Sequence, residues 1–151
     1  MSQPNLDESV EQIAGECLAL RMRMLNRVIS KLYDDALRPL GLKGSQMTIL
    51  VAAQKVGVVR PIDLCQRLHL DVSTLSRNVD RMKARGWLET VPDEDGRAQP
   101  FRLTHQGRQL LRQAIPAWNT AQQKAKRLLG RGAVDSVIDA AGRLGDLTAS
   151  K

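Results

Sequence analysis

A change of hydrophobic period within residues 60–103 constrains the fold of this chain more than any other feature. Apolar residues first recur every three or four positions, which predicts two helices, Ile62–Leu68 and Val72–Arg85, joined by a turn of a few residues. The pattern then alternates over residues 87–91 and again over 101–104, with a run of turn-forming residues between them. Two strands and a polar turn predict a β-hairpin, so the fold class is mainly α with one small hairpin.

The helix predicted over Val72–Arg85 is expected to begin after an N-cap at Asp71, to end at Gly86, and to have two chemically distinct faces. Its apolar face is predicted to pack inward and comprises Val72, Leu75, Val79 and Met82. Its opposite face carries short hydroxyl side chains followed by guanidinium groups, namely Ser73, Thr74, Ser76, Arg77 and Arg81. Short polar groups approach base edges closely, and arginine forks onto guanine or binds phosphate, so this face suits the major groove of DNA. The alternative is an ordinary amphipathic helix with a solvated polar face. The hairpin that follows favours a winged helix-turn-helix.

The charge distribution points to a polyanionic partner. The chain of 151 residues carries 23 Lys and Arg against 16 Asp and Glu, a formal charge of +7. Residues 43–112 alone hold 12 basic and 7 acidic groups, which places most of the excess around the helix-turn-helix. A basic patch around such a motif is typical of a nucleic-acid-binding domain.

Several other classes of function lack their motifs here. The chain contains no HExxH motif, no glycine-rich phosphate loop and no serine–histidine–aspartate arrangement, so we expect no enzymatic activity. Two cysteines and two histidines are scattered, which predicts neither a metal site nor a cofactor. No apolar run is long enough for a membrane span and the first residues do not form a signal peptide, so we expect a cytoplasmic protein with reduced thiols.

Helices are also predicted on both sides of this motif. Periodic apolar residues predict one long helix over 7–37. Ser45 is a plausible N-cap for the next helix, which Gly57 closes. A long helix follows Thr104 and carries Pro116, where a kink is expected, and a last amphipathic helix is predicted over Val134–Leu147.

Four segments together resemble the MarR-type transcriptional regulators over nearly the whole chain. The stretch Leu40–Leu50 is similar to the family's entry into its second helix, and Leu70–Met82 followed by Gly86-Trp-Leu resembles its recognition helix and exit. The wing resembles the family's signature through Asp95-Gly-Arg-Ala, Leu103-Thr and Gly107. Ile115-Pro-Ala-Trp resembles the family's kinked helix.

The resemblance implies a homodimer that binds double-stranded DNA at a near-palindromic operator. It implies three parts: an N-terminal dimerisation helix in residues 1–40, a winged helix-turn-helix in 41–104, and C-terminal dimerisation helices in 105–151. A repressor relieved by a small aromatic or anionic effector is the expected mode of action. A winged helix that serves architecture or protein binding without an effector is the alternative.

The resemblance also assigns roles to individual residues. Ser73, Thr74, Ser76 and Arg77 are expected to face the major groove, and Arg81 the phosphates. Arg97 would enter the minor groove braced by Asp95, although Asp95 is equally explained as a turn former. Arg60 and Ser45 are expected to touch the DNA backbone at helix starts.

Regulatory residues are predicted from weaker signals. Arg21 and Arg23 suit an anionic effector, but solvated arginines are the more common explanation. Met47 suits an adaptable pocket, with core packing as the alternative. Cys17 lies in the first helix, where the peroxide-sensing branch of the family carries a reactive cysteine. Its place on the apolar stripe instead predicts a buried, inert thiol, and a redox regulator using Cys17 remains the lesser alternative. Cys65 lies on the inward side of the helix Ile62–Leu68 and is predicted to belong to the core.

Overall fold

The computed structural model describes residues 5–145, which form seven α-helices and one antiparallel hairpin. The helices are α1 (Leu6–Glu16), α2 (Leu18–Leu37), α3 (Gly44–Val56), α4 (Pro61–Leu68), α5 (Val72–Ala84), α6 (His105–Leu129) and α7 (Arg131–Leu144). The strands are β1 (Leu88–Thr90) and β2 (Phe101–Leu103). A single 3-10 turn, Arg38–Leu40, follows α2. The predicted fold class is confirmed.

The hydrophobic core lies where α3, α4, α5 and the hairpin meet the first half of α6. Its largest fully buried side chains are Phe101, Leu37, Leu42, Ile49, Leu50, Leu75 and Met82. We call residues 37–114, which contain this core, the central lobe. We call residues 5–36 and 115–145, which extend from it, the arms. The first half of α6 contributes Leu110, Leu111 and Ala114 to the core, so this helix belongs to both parts.

The hairpin is anchored to the lobe by a third segment that the sequence analysis did not anticipate. Leu88 pairs with Leu103 and Thr90 with Phe101 in the antiparallel register. Val59 then pairs with the outer side of Phe101, donating its N–H to the Phe101 carbonyl at 2.8 Å and accepting in return at 3.0 Å. The β-branched pair Val58-Val59, between the end of α3 and Pro61, is the sequence feature that could have predicted this extra strand pairing.

A close approach of α6 to β1 sets the root of the hairpin. Thr104 caps α6 by accepting from the Gly107 N–H at 3.0 Å, and its hydroxyl donates to the Gly86 carbonyl. A Cβ on Gly107 would lie 2.1 Å from the Trp87 carbonyl oxygen. Only glycine fits there, so the threonine cap and the glycine three residues later work as one packing unit.

The long helix predicted over 7–37 is wrong in one respect, because it is broken at Cys17. Cys17 adopts an extended backbone, with ψ at 108°, between α1 and α2. Gly15 lowers the helix propensity just before the break. The Arg21 guanidinium donates to the Ala14 carbonyl at 3.1 Å, which satisfies one acceptor that the break releases.

The prediction that Ser45 caps α3 is also wrong. The helix begins at Gly44, and Ser45 lies exposed in its first turn. Asp34 supplies a cap from a distance by accepting from the Gly44 N–H at 2.8 Å, and Gln46 accepts from the Lys43 N–H at 3.1 Å. A cap ten residues away along the chain has no local sequence signature.

Two further details differ from prediction. The last helix begins at Arg131 rather than Val134 and contains Gly132; it ends at Leu144, and residues 146 and 147 of the predicted span lie outside the described residues. Val72 is 58% exposed, so the buried face of α5 comprises only Leu75, Val79 and Met82. Val72 is the first residue of α5, so fewer neighbouring side chains cover it than cover the three buried residues.

The other predicted boundaries agree with the structure. Pro61 opens α4, and Gly57 ends α3 with φ at 85°. α6 continues through Pro116 to Leu129. Within residues 5–145, no helix is both long and apolar enough to cross a membrane.

Candidate nucleic-acid interface and the adjoining cavity

Helix α5 presents its polar face to solvent over its whole length. The exposed side chains are those predicted, namely Ser73, Thr74, Ser76, Arg77 and Arg81. The opposite face is fixed in the core, with Leu75 at 1% and Met82 at 0% exposure. A helix held by buried side chains on one side presents its other side as a rigid, preorganised surface.

The first turn of α5 is capped by Asp71, as predicted. The Asp71 carboxylate accepts from the Thr74 N–H at 3.1 Å and from the Ser73 hydroxyl. These bonds, led by that from Ser73, lower the pKa of Asp71 below its usual range. Part of the hydrogen-bonding capacity of Ser73 is therefore used within the cap, whereas Ser76 lies further along the free face.

The arginines at this surface divide into paired and unpaired groups. Within residues 5–145, Arg77, Arg81 and Arg97 are exposed and form no ion pair with a carboxylate. By contrast, Arg102 lies 2.7 Å from Glu89 across the hairpin, and Arg60 lies 3.9 Å from Asp93. The unpaired group is predominantly on α5, and its guanidinium groups are available to phosphate or base edges.

The tip of the hairpin is ordered by a side-chain turn. Asp95 accepts from the Arg97 backbone N–H at 3.1 Å, and its own carbonyl accepts from Ala98 at 3.0 Å. Asp95 therefore holds the backbone of Arg97 rather than its guanidinium, which matches the turn-former alternative. Gln99 adopts φ at 42° at the base of the tip and turns the chain back towards β2.

The two residues expected at helix starts occupy different surroundings. Arg60 is the exposed N-cap of α4, next to the hairpin tip through Asp93. Ser45 lies in the first turn of α3 and lines a cavity on the side of the lobe that faces the arms. The structure therefore groups Arg60 with the α5 surface but places Ser45 beside this cavity.

That cavity has a volume of about 900 Å³ and lies between α2, α3 and α6. Its walls are largely apolar and include Ile29, Leu37, Met47, Val51, Leu111, Ile115 and Trp118. The volume and the apolar lining with a few polar groups are typical of a small-molecule site.

Aromatic and polar groups mark one wall of the cavity. The Tyr33 and Trp118 rings lie 6.5 Å apart at a tilt of 44°, and the Tyr33 hydroxyl donates to the side chain of Gln122. Partial burial raises the pKa of Tyr33, so the phenol is neutral at physiological pH. Lys55 supplies a cation to the lining, and Asp34 supplies the carboxylate that caps α3.

The effector residues proposed from sequence are only partly assembled at this cavity. Met47 lines it and is buried, at 6% exposure. Arg21 and Arg23 are exposed on α2, and neither belongs to the lining. Sequence reasoning missed Tyr33, Trp118 and Lys55, because residues from three separated helices converge there and only their fold brings them together.

The two cysteines differ in their surroundings. Cys17 is partly exposed at the break between α1 and α2, so the prediction of a buried thiol is wrong within the single chain. Cys65 is buried in the core as predicted, and burial together with the charge of Asp71 raises the pKa of its thiol. Across residues 5–145 no three metal-ligating side chains gather as a metal site would require.

Comparison with known proteins places this geometry in context. Residues 40–98 match the sequence model of the MarR family. The multiple antibiotic resistance protein MarR of Salmonella typhimurium is 29% identical over 108 residues, which cover 70% of this chain and 75% of that protein. The residues that match the family model contain α3, α4, α5 and the first strand of the hairpin, which build most of the exposed polar surface.

Solved structures share the same fold. A mutant of MarR from E. coli complexed with operator DNA superposes with a TM-score of 0.76 at 22% identity, covering 88% of this chain and 96% of that one. The M. tuberculosis regulator MosR in complex with DNA gives a TM-score of 0.73 at 29% identity, covering 85% and 95%. Together with the α5 surface and the hairpin, these matches show a MarR-family segment over residues 40–98, in a chain that has the fold of the family's winged-helix regulators.

Proposed function

We propose that this regulator binds a near-palindromic operator as a homodimer, with α5 of each subunit in the major groove. The observation that carries the proposal is the exposed polar face of α5, whose Arg77 and Arg81 have no carboxylate partner among the described residues. Arg97 on the hairpin tip is assigned to the minor groove and Arg60 to the phosphates. Because its partner is DNA, we place its action in the cytoplasm, through binding rather than catalysis.

The arms support a homodimer formed by residues 1–40 and 105–151 around the DNA-binding segment 41–104. Neither α1 nor α7 buries a single residue within the described chain. Their exposed apolar side chains are Leu6, Val10, Ile13, Val137, Ile138 and Leu144. An apolar surface of this kind marks an interface, and a two-fold axis would cover it on both subunits.

Charge complementarity supports the same pairing. α1 carries four acidic residues and no basic ones, namely Asp7, Glu8, Glu11 and Glu16. The corner between α6 and α7 carries Lys124, Lys126, Arg127 and Arg131. Docking the acidic helix of one subunit near the basic corner of the other would orient the two copies.

The experiment that tests DNA recognition is a titration at two salt concentrations. The wild-type protein is first used to select duplexes from random-sequence DNA, and binding is then measured on the selected and on a scrambled duplex. We expect at least 1,000-fold tighter binding to the selected duplex and a steep loss of affinity with salt. Equal, weak binding to both duplexes would contradict sequence-specific regulation and favour the architectural alternative.

We further propose that the cavity beside Trp118 takes a small aromatic effector that relieves repression. Tyr33 and Trp118 offer aromatic contacts, and Lys55 offers a partner for a carboxylate. Titration with 4-hydroxybenzoate, followed by the intrinsic tryptophan fluorescence, should show saturable quenching that weakens when Val51→Phe fills part of the cavity. Quenching unaffected by that variant would place the ligand elsewhere.

A further inference from the structure

Arg85 joins the end of α5 to the loop that precedes α3. It is the C-cap residue of α5, and its Nη1 donates to the Gly41 carbonyl oxygen at 2.8 Å. The guanidinium carbon also lies 4.9 Å from the centre of the Trp87 ring, over its face. The ring is buried at 6% exposure, so it forms a fixed platform for the guanidinium.

The partner of Arg85 is itself constrained. Gly41 adopts φ at 67°, and a Cβ on it would lie 2.9 Å from Arg85 Nη1. Arg85 therefore binds a carbonyl that a glycine presents without a side chain in the way. The contact joins residues 44 positions apart, so it ties two separate parts of the chain together.

The same loop is held at its other end by the wall of the cavity. The Gly44 N–H donates to Asp34 Oδ1 at 2.8 Å, and Asp34 lines the cavity. Residues 41–44 are thus fixed between α5 on one side and α2 on the other. The Asp34 carboxylate binds Gly44 and the Arg85 guanidinium binds Gly41, at opposite ends of this four-residue loop.

Because this contact lies at the C-terminal end of α5, a change there would displace the residues at the helix's first turn. Ser73 and Thr74 lie at the first turn of α5, and Arg85 lies at the far end of its 13 residues. At 1.5 Å per residue the helix is about 20 Å long, so a tilt of about 5° would move its first turn by about 1.7 Å. A shift of that size exceeds the tolerance of a bidentate contact with a base.

We propose that Arg85 is a positioning residue that fixes the angle of α5 through Gly41 and Trp87, without touching DNA itself. The inference rests on the proposed DNA-binding function. Its guanidinium is occupied by the carbonyl and the ring, unlike those of Arg77 and Arg81. The loop 41–44 makes this angle dependent on α2, and hence on the cavity wall that includes Asp34.

The first test compares Arg85→Ala with wild type on the selected and the scrambled duplex. We expect about a tenfold loss of affinity for the selected duplex, little change for the scrambled one, and an unchanged slope of log affinity against log salt. If Arg85 of each subunit bound a phosphate, the variant would instead lower that slope by about 1.8, about 0.9 for each of the two contacts. Arg38→Ala is the matched control, because Arg38 carries the same charge beside the same loop and pairs with Asp35 instead.

The second test disturbs the contact while keeping the arginine. Gly41→Ala should also reduce discrimination, since its Cβ displaces the guanidinium, and it leaves the net charge unchanged. Combined with Arg85→Ala it should cost less than the sum of the two single changes. Arg85→Lys should restore part of the discrimination by keeping the cation over Trp87. Circular dichroism confirms that each variant is folded.

The outcomes distinguish a failure of the proposed DNA-binding function from a failure of the positioning role of Arg85. If wild type does not distinguish the two duplexes, the proposed function fails before any variant is compared. If wild type discriminates but Arg85→Ala behaves as Arg38→Ala does, the positioning role is contradicted. A lowered salt slope, or equal losses on both duplexes, would likewise overturn it by making Arg85 a direct electrostatic contact. Additive losses in the double variant would contradict the link through Gly41.

Discussion

The central lobe and the arms are built from similar proportions of apolar residues, yet they use them in opposite ways. In the lobe, Phe101, Leu50 and Met82 are fully enclosed by other elements of the same chain. In the arms, Ile13 and Ile138 remain 63% and 59% exposed on helices that bury no residue. The lobe encloses its own core, whereas α1 and α7 of the arms leave apolar side chains that the described chain does not cover.

This difference separates recognition from assembly. The lobe fixes α5 and the hairpin rigidly, which is what contact with DNA demands. In the proposed homodimer the arms would set the distance between two such lobes, and the distance matters because half-sites on DNA are spaced by the helical repeat. A molecule divided in this way can alter its DNA affinity by moving whole lobes without repacking their cores.

The largest effect is expected when charge is placed on the exposed apolar side chains of the arms. Ile13→Asp combined with Ile138→Asp should give monomers, because buried carboxylates would face the apolar surface of the partner. We expect light scattering to fall from about twice the chain mass of 16.7 kDa to that mass. Affinity for the selected duplex should fall by at least about 100-fold, since the second half-site is lost.

A matched change in the lobe provides the control. Val56 and Val58 are 49% and 44% exposed, close to the exposure of the arm residues, but lie on the lobe. Val56→Asp with Val58→Asp should leave the mass unchanged. If the lobe variant dissociates and the arm variant does not, the dimer interface lies on the lobe and not on the arms.

The next effect concerns the lobe's own packing. Gly107→Ala forces a methyl group against the Trp87 carbonyl, so it should lower the free energy of unfolding by about 3 kcal/mol. Urea denaturation of the wild type and the variant measures this difference in the free energy of unfolding. Gly96→Ala, where nothing lies within 4 Å of the added Cβ, should change stability by less than about 0.5 kcal/mol. Equal effects at the two glycines would mean that α6 does not approach β1 as described.

Removing a single side chain from the α5 face should have a smaller effect. Arg77→Ala should weaken binding to the selected duplex by about 1–3 kcal/mol if it contacts a base, while leaving the unfolding free energy unchanged. Arg23→Ala removes the same charge from an exposed position on the arms and should have little effect. A larger loss at Arg23 than at Arg77 would place the DNA on the arms instead of the lobe.

The smallest expected effect is a pH dependence of the lobe's stability. The pKa of Asp71 is lower in the folded chain than in the unfolded one, so its contribution is full above the unfolded value of about 3.8. It is lost as the pH falls through the lowered folded value. Asp71→Asn keeps a good cap, so it should flatten the acid limb of stability between about pH 5 and 2.

Asp35 provides the comparison from the arms. Its pKa is also lowered, first by the hydrogen bond from Lys31 and then by the charges of Lys31 and Arg38. Because those partners lie in the same helix and its 3-10 extension, Asp35→Asn should flatten the acid limb without changing DNA affinity at neutral pH. An acid limb identical in wild type and both variants would show that neither carboxylate contributes through its shifted pKa.

The features predicted from sequence are those governed by local rules. The Asp71 cap, the breaks at Gly57 and Gly86, and the hairpin between residues 88 and 103 follow from residues adjacent in the chain. The resemblance to a family added the role of Arg97 in the minor groove, which stays a prediction. Local rules also placed Cys65 correctly in the core.

The features that sequence missed depend on contacts between distant residues. Asp34 caps α3 from another helix, and Arg85 reaches Gly41 across the lobe. The break at Cys17 was missed because periodicity continues through it, although Gly15 gave a weak signal. The cavity joins three helices, so no single stretch of sequence predicts its lining.

The most direct test of the account is light scattering of the wild-type protein, alone and bound to its selected duplex, at micromolar concentration. A homodimer formed through the arms gives a free species of about 33 kDa, twice the 16.7 kDa chain, and a complex containing two chains on one duplex. A free species of 16.7 kDa that binds the duplex as one chain would contradict it, because the arms would then need no partner.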